Sequence, residues 1–119
     1  MKHVQQWIGV QFVSSASLTP QFARFARAYK QALIAALGED FALVRWNRGH
    51  FYVSAFFRHT RTGRFVYLSC ADVRFSPNEW YERILIRQAR SERDFTGGAN
   101  HYVALDCLPE AALRLTAGA

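Results

Sequence analysis

The chain has 119 residues, of which 50% are hydrophobic and 20% are charged, and its formal net charge at pH 7 is +6. We expect one domain spanning residues 1–119, because a chain of this length can bury a core without metals or disulfides. The aromatic and aliphatic content excludes a disordered chain. The basic charge favours a partner that carries phosphate or other negative groups.

The basic residues are mostly arginine. Only Lys2 and Lys30 of the 15 basic residues are lysine, which leaves 13 arginines. Arginine can bind two phosphate oxygens at once and stacks on rings better than lysine does, so the bias is consistent with a phosphate-bearing ligand. A GC-rich genome gives the same bias without any functional cause, and the sequence leaves both explanations open.

The cysteines and the apolar runs give expectations about compartment. Cys70 and Cys107 form no CxxC pair and each stands among apolar residues, which predicts reduced, buried thiols. No apolar run approaches the length of about 20 residues that a spanning helix needs, and the first residues contain no apolar signal segment. We therefore expect a soluble, cytoplasmic protein without a membrane partner.

The first half of the chain reads as a strand, a long helix and a hairpin. Alternating apolar residues predict a strand over residues 6–13, and Thr19-Pro20 followed by apolar residues three and four apart predicts a helix over 20–37 that ends before Gly38. Short β-prone runs separated by turn residues then predict an antiparallel meander. Its strands cover residues 42–46, 51–58 and 65–73, with turns at 47–49 and 60–63.

The second half is predicted to hold shorter elements. Ser76-Pro77-Asn78-Glu79 fits a capping box and predicts a short helix over 77–82. Residues 83–89 fit either a helix or a strand, and the β-branched run around Ile84 and Ile86 favours a strand. A polar loop over 90–100, a strand over 101–105 and a short helix over 109–115 complete the chain.

One candidate binding constellation is the predicted hairpin tip. Turn geometry accounts for Asn47 and Gly49, since both residue types adopt positive φ readily. Turn geometry does not require an aromatic ring, a guanidinium and an imidazole at the same tip. Such groups can stack on a base or bind a phosphate. The candidate ligand-binding residues here are Trp46, Arg48 and His50.

The preferred candidate is the polar loop itself. Consecutive N–H groups of Thr96, Gly97 and Gly98 can form a concave nest for phosphate or carboxylate oxygens. Positive charge and an amide side chain stand nearby, in Arg87, Arg90, Arg93 and Asn100. The alternative is a structural turn in which Asp94 pairs with an arginine across the loop.

Three segments combine polar residues and glycines in a way that ordinary connecting segments do not require: residues 46–54 (WNRGHFYVS), 78–80 (NEW) and 94–100 (DFTGGAN). In size and in the absence of a recognisable domain, the chain resembles small proteins encoded by phages and other mobile elements. That class includes anti-CRISPR proteins and sponges for nucleotide signals. The resemblance is one of style rather than motif, and it assigns no role to any residue.

Enzyme chemistry has little support in the sequence. The four histidines lack HxH or HExxH spacing, and we expect no metal and no cofactor. A general acid–base pair of His50 and His101 could cleave RNA, which keeps a small nuclease as one alternative. The other alternative is a protein–protein inhibitor that docks on a host enzyme through exposed aromatic residues, namely Trp7, Trp80 and Tyr81.

The sequence therefore predicts an α+β fold: an antiparallel sheet of five to six strands, with the long helix packed on one face and short helices near 77–82 and 109–115. The predicted function is non-catalytic capture of a phosphate-bearing ligand, either a nucleotide signal or a nucleic acid within a nucleoprotein complex. Such capture would suit an anti-CRISPR or another counter-defence inhibitor. A sheet covered on one side only could also form a homodimer through the uncovered side.

Overall fold

Five antiparallel strands follow one another along the chain and pair in that same order to form one sheet. The structure is a computed structural model that describes residues 3–12, 19–49 and 51–117. The predicted α+β architecture is confirmed. The strands are β1 (Phe41–Arg48), β2 (Val53–His59), β3 (Phe65–Cys70), β4 (Ile84–Ala89) and β5 (His101–Val103).

Three α-helices accompany the sheet: α1 (Thr19–Leu37), α2 (Glu79–Glu82) and α3 (Leu108–Thr116). The predicted long helix is confirmed, because apolar residues at spacings of three and four bury one stripe that includes Phe22, Phe25 and Tyr29. It ends at Leu37, before Gly38, whose φ of 67° lies in the left-handed region that favours glycine. No helix in the described parts of the chain is both long and apolar enough to cross a bilayer.

The helices α1 and α3 contact each other and both contact strands, so they cover the same face of the sheet. Between them and the sheet lies the core, where Trp80 is fully buried and packs its ring edge-on against Phe25 and Tyr29. The Tyr29 hydroxyl donates a 2.6 Å hydrogen bond to the carbonyl oxygen of Trp80, which ties α2 to α1. The expectation that Trp80 is an exposed docking residue was therefore wrong.

The predicted strand over residues 6–13 is also wrong where the structure describes it. Residues Gln5–Trp7 form a 3-10 turn, and residues 8–12 join no strand. Gly9 has φ 80°, which breaks an extended run, and Trp7 and Phe12 pack on the side of Phe25. The apolar residues thus cover the helix instead of extending the sheet, and Val13 lies outside the described residues.

The hairpin between β1 and β2 differs from the prediction. Asn47 pairs with Ser54 inside the sheet, and the connection runs through residues 49–52, where the Gly49 N–H donates to the Tyr52 carbonyl oxygen. Neither Asn47 nor Gly49 has a positive φ. The turn residues were therefore misread, since Asn47 is a strand residue.

Other boundaries need smaller corrections. β3 ends at Cys70 rather than at residue 73, and β5 ends at Val103 rather than at 105. The helix α2 begins at Glu79 rather than at residue 77, with Asn78 at its N-cap and no side-chain cap, so the predicted capping box at Ser76 does not form. The Ser76 N–H instead donates to the Asp72 carbonyl oxygen in a preceding turn. Residues 84–89 form a strand, as the β-branched run favoured.

A β-bulge interrupts β1 between Leu43 and Arg45. Leu43 pairs with Phe57, which faces the helices, whereas Arg45 pairs with Phe56, which faces away from them. The extra residue, Val44, therefore reverses the alternation of β1. Arg45 and Asn47 face away from the helices as a result.

The two cysteines differ. Cys70 is buried, and burial raises the pKa of its thiol to about 12. Cys107 is exposed, so the prediction of a buried thiol was wrong at that position. It lies in the 3-10 turn Leu105–Cys107 that precedes α3.

Candidate functional site

The polar loop 90–100 closes around the side chain of Asp94. Its Oδ1 accepts hydrogen bonds from the N–H groups of Gly97 at 2.8 Å and Thr96 at 3.3 Å, and its Oδ2 accepts from the Arg90 N–H at 2.9 Å. These backbone hydrogen bonds, that of Arg90 foremost, lower the pKa of Asp94 to about 2. The anion nest is formed, but the chain's own carboxylate occupies two of its N–H groups.

Both glycines of the loop are explained by this closure. A side chain on Gly97 would collide with the Asp94 carboxylate, and one on Gly98 would collide with the carbonyl oxygen of Gln88. Gly98 also has φ 80°. The Asp94–Arg90 contact of 3.5 Å matches the alternative interpretation of a structural turn paired with an arginine.

Arg87, the first arginine of this group, is buried. Its guanidinium lies 4.4 Å from the centre of the Tyr67 ring, and Nη1 donates a 2.8 Å hydrogen bond to the Gly97 carbonyl oxygen. Arg87 therefore anchors the loop on the sheet, and a ligand reaches it only if the loop moves.

The other predicted residues of the loop are exposed, namely Arg90, Arg93, Thr96 and Asn100. The Arg90 side chain is 87% exposed and borders two open depressions. One, of about 580 Å³, lies between this loop and the β2–β3 turn and is also lined by Arg64. The other, of about 560 Å³, is lined by Arg93 and Phe95. We call Arg64, Arg90 and Arg93 the loop-end arginines.

The second predicted constellation lies at the other end of the sheet. From the row of Phe65 to the row of Cys70 the strands rise by roughly 16 Å, which separates the hairpin 48–53 from the polar loop. Trp46 and Arg48 pair with residues that face the helices, and Lys30 of α1 lies 5.9 Å from the Trp46 ring. His50 lies outside the described residues. The structure therefore does not bring the two predicted groups together.

The sheet face that points away from α1 and α3 was missed by the sequence analysis. We call it the open face. Strand alternation and register place the following residues on it: Arg45, Asn47, Ser54, Phe56, Arg58, Tyr67, Ser69, Leu85, Arg87 and Tyr102.

The open face is built from aromatic rings and guanidinium groups. Phe95 reaches back from the polar loop and packs edge-on against Phe56 at 5.0 Å and Tyr67 at 5.8 Å between ring centres. The Arg45 guanidinium lies 5.8 Å from the Phe95 ring. At the far edge, the Arg83 guanidinium stacks 4.3 Å from the ring of Tyr102. Such cation–π pairs hold the rings in place without covering both of their faces.

Two donors on the open face have no acceptor. Arg45 Nε and Asn47 Nδ2 are buried and lack a hydrogen-bond partner among the described residues. Buried polar atoms are usually paired, so both donors have room for an acceptor that the described residues do not supply; Trp7 Nε1 and Trp80 Nε1 on the helix side are unpaired in the same way. The signal in the sequence was the alternation of β1, but the bulge at Val44 hides it from a simple period-two reading.

Metal binding has no support among the residues that the structure describes. In the described ranges, no three His, Cys, Asp or Glu side chains are grouped so as to hold a metal ion. His101 is exposed at the start of β5 and pairs with Ile86, which faces the helices. Its predicted partner, His50, is not among the residues described, so the nuclease alternative stays a prediction.

The sequence matches no protein-family model, and comparisons with curated proteins and with solved structures find no significant similarity.

Proposed function

We propose that the protein binds a phosphate-bearing ligand, a nucleotide or nucleic acid, without catalysis. The observation that carries the proposal is the position of Arg90, whose exposed guanidinium borders two adjoining depressions that Arg64 and Arg93 also line. Guanidinium groups bind phosphate oxygens through paired, charge-assisted hydrogen bonds. Three of them around two neighbouring depressions form a basic rim for an extended anion.

Asp94, the acidic residue that lines both depressions, does not cancel the charge of this rim. Asp94 is buried and directs both carboxylate oxygens at backbone N–H groups of its own loop. Its charge is thus engaged inside the loop, while the loop-end arginines stay on the surface. Together with the net charge of +6, this arrangement favours polyanions over neutral ligands.

The test is a charge-matched pair of double variants. Arg90→Ala with Arg93→Ala removes two loop-end arginines, whereas Arg24→Ala with Arg27→Ala removes two exposed arginines of α1. Binding of a fluorescein-labelled 15-nucleotide single strand is measured by anisotropy between 50 and 200 mM salt, and thermal unfolding is recorded for every variant.

We expect the loop variant to bind at least about tenfold more weakly and the slope of log K against log salt to fall by about 1.4, since each phosphate contact contributes about 0.7. The α1 variant should keep most of the affinity, and both variants should unfold near the wild-type temperature. Equal loss in the two variants, or none in either, would refute the loop-end site.

The protein–protein alternative loses its main anchor, because Trp80 is fully buried and Trp7 and Tyr81 are partly buried against the core. The same salt series tests it, since an aromatic-anchored interface depends little on salt. A role against host defence, as the resemblance to phage proteins implies, is part of the proposal. It predicts that the bound nucleic acid belongs to a host nucleoprotein complex.

A further inference from the structure

We infer that the open face binds unpaired bases, so that the ligand is single-stranded nucleic acid rather than a duplex or a mononucleotide. This inference rests on the proposed function, because it takes the loop-end arginines as the contacts to the phosphate backbone. It adds the surface on which the bases lie and the groups that contact them.

The first support is a pair of accessible aromatic rings. Phe95 is 45% exposed and Tyr102 is 49% exposed, and each has an arginine on or near its ring. A nucleobase stacks on such a ring whatever its identity, because every base has a π face. Phe95 is also held edge-on by Phe56 and Tyr67, so its position is set before any ligand arrives.

The second support is the pair of unsatisfied donors. Arg45 Nε and Asn47 Nδ2 lie on the same face of one strand, and Arg45 is the residue that approaches Phe95. Bases carry carbonyl and ring-nitrogen acceptors along their Watson–Crick edges, and these edges are free only when the strand is unpaired. Because Arg45 Nε and Asn47 Nδ2 are buried in the absence of a ligand, their side chains must turn outward to reach these acceptors, and such contacts favour a single strand over a duplex.

The third support is continuity between the two parts of the site. Phe95 lines the same depression as Arg90 and Arg93. A backbone held by these arginines thus passes directly beside the ring on which its base would stack. From Tyr67, under Phe95, to Tyr102 the strand spacing gives roughly 12 Å, which exceeds the stacked-base repeat of about 3.4 Å, so the two rings serve different nucleotides.

A recess of about 270 Å³ lies at the Tyr102 end of the open face. Its lining includes Arg83, Ser69 and the carboxylate residue Glu79. An acid beside the ring disfavours a phosphate at that point, whereas a base bearing amino groups can donate hydrogen bonds to it. The basic rim at the polar loop and the mixed recess at Tyr102 thus match the backbone and the base ends of a crossing strand.

The experiment separates bases from phosphates. Three labelled 15-mers are compared by anisotropy: a single strand, the same strand in a duplex, and an abasic strand with the same number of phosphates. The single strand and its duplex are prepared both as DNA and as RNA, and the tighter single strand is used for the variants. The variants are Phe95→Ala, Phe95→Leu and Tyr102→Ala, with Tyr102→Phe as the conservative replacement. Phe75→Ala serves as the control, because this ring is 77% exposed and belongs to none of the strands that form the open face.

We expect the single strand to bind more tightly than the duplex and the abasic strand. Phe95→Ala and Tyr102→Ala should each weaken its binding by about 5- to 100-fold, which is the usual effect of removing one stacking ring. Binding of the abasic strand should not change in these variants, and Tyr102→Phe and Phe75→Ala should bind like wild type. Phe95→Leu keeps an apolar cover on the loop, so a loss in this variant reports the lost π face rather than unfolding.

Equal binding of the abasic and base-bearing strands, with no effect of Phe95 or Tyr102, would overturn the inference while leaving the phosphate rim intact. Loss of the Arg90 and Arg93 effect would overturn the proposed function itself. If the ring variants instead convert a dimer to a monomer in size-exclusion chromatography without altering strand binding, the open face is an interface between two copies and the inference fails.

Discussion

The two faces of the sheet consist of alternate residues of the same strands and differ in the groups that surround them. On the helix side, Phe57 and Ile86 are buried against a continuous aromatic and aliphatic core. On the open side, Phe56 is just as buried, but its ring contacts are Tyr67 and Phe95, and arginines surround them. Helices cover one face, whereas the polar loop covers only the part of the other face around Phe56 and Tyr67.

The difference shows how burial alone can mislead. The helix-covered face is filled mainly by apolar side chains that pack against each other, although the buried Trp80 Nε1 also has no hydrogen-bond partner among the described residues. The open face contains buried donors at Arg45 and Asn47 that lack an acceptor, and a buried cation at Arg87 that is held by a loop carbonyl. Cationic and polar side chains among aromatic rings, rather than exposure, distinguish the face that we assign to the ligand.

The largest expected effect is a difference in the free energy of unfolding between alanine variants of two neighbouring phenylalanines. Phe57→Ala should cost about 3–5 kcal/mol of the free energy of unfolding, because the helices cannot close the cavity. Phe56→Ala should cost less, since the polar loop that carries Phe95 can settle into the space. Urea unfolding measures both, and a larger loss for Phe56→Ala would contradict the distinction between the faces.

The next effect concerns the arginine that holds the polar loop. Arg87→Met removes the guanidinium stacked on Tyr67 and its hydrogen bond to Gly97, and should lower the free energy of unfolding by about 1.5–3 kcal/mol. Arg90→Met, at an exposed position in the same loop, is the matched control and should leave it nearly unchanged. Equal unfolding midpoints for the two variants would show that Arg87 does not anchor the loop.

The smallest effect depends on pH. The pKa of Asp94 is lowered to about 2, whereas an aspartate in an unfolded chain has a pKa of about 3.9. Its contribution to stability is thus fully present above the unfolded value and is lost as the pH falls toward 2. Asp94→Asn should therefore unfold at a lower temperature than wild type at pH 7, and the difference should narrow as the pH falls below about 4 and close only below about 2. A difference in unfolding temperature that stays constant with pH would show that the charge of Asp94 is not its cause.

Much of the fold was predictable because local patterns agreed with the tertiary structure. The spacing of Phe22, Phe25 and Tyr29 fits only a helix with one buried stripe, and the alternation of β2 survives because the strand is paired on both sides. The segment containing Trp7 and Phe12 was misread, since its apolar residues are satisfied by the helix rather than by a sheet.

The site was harder to predict because its signals depend on distant residues. The Gly97-Gly98 pair is equally consistent with an anion nest and with a turn closed by Asp94, and only the three-dimensional contacts decide. Similarly, nothing local to Trp80 shows that α1 covers it. Phe95 lies in a loop and reaches the face of three earlier strands, a contact that no short-range pattern records.

The bulge at Val44 has an evolutionary consequence. Loss of this one codon would place Arg45 directly after Leu43, still opposite Phe56, so β1 would alternate regularly with Arg45 and Asn47 on the open face as before. We therefore expect homologues to vary freely in the side chain at position 44 and to tolerate its deletion, because the pairing on either side of the bulge does not depend on it.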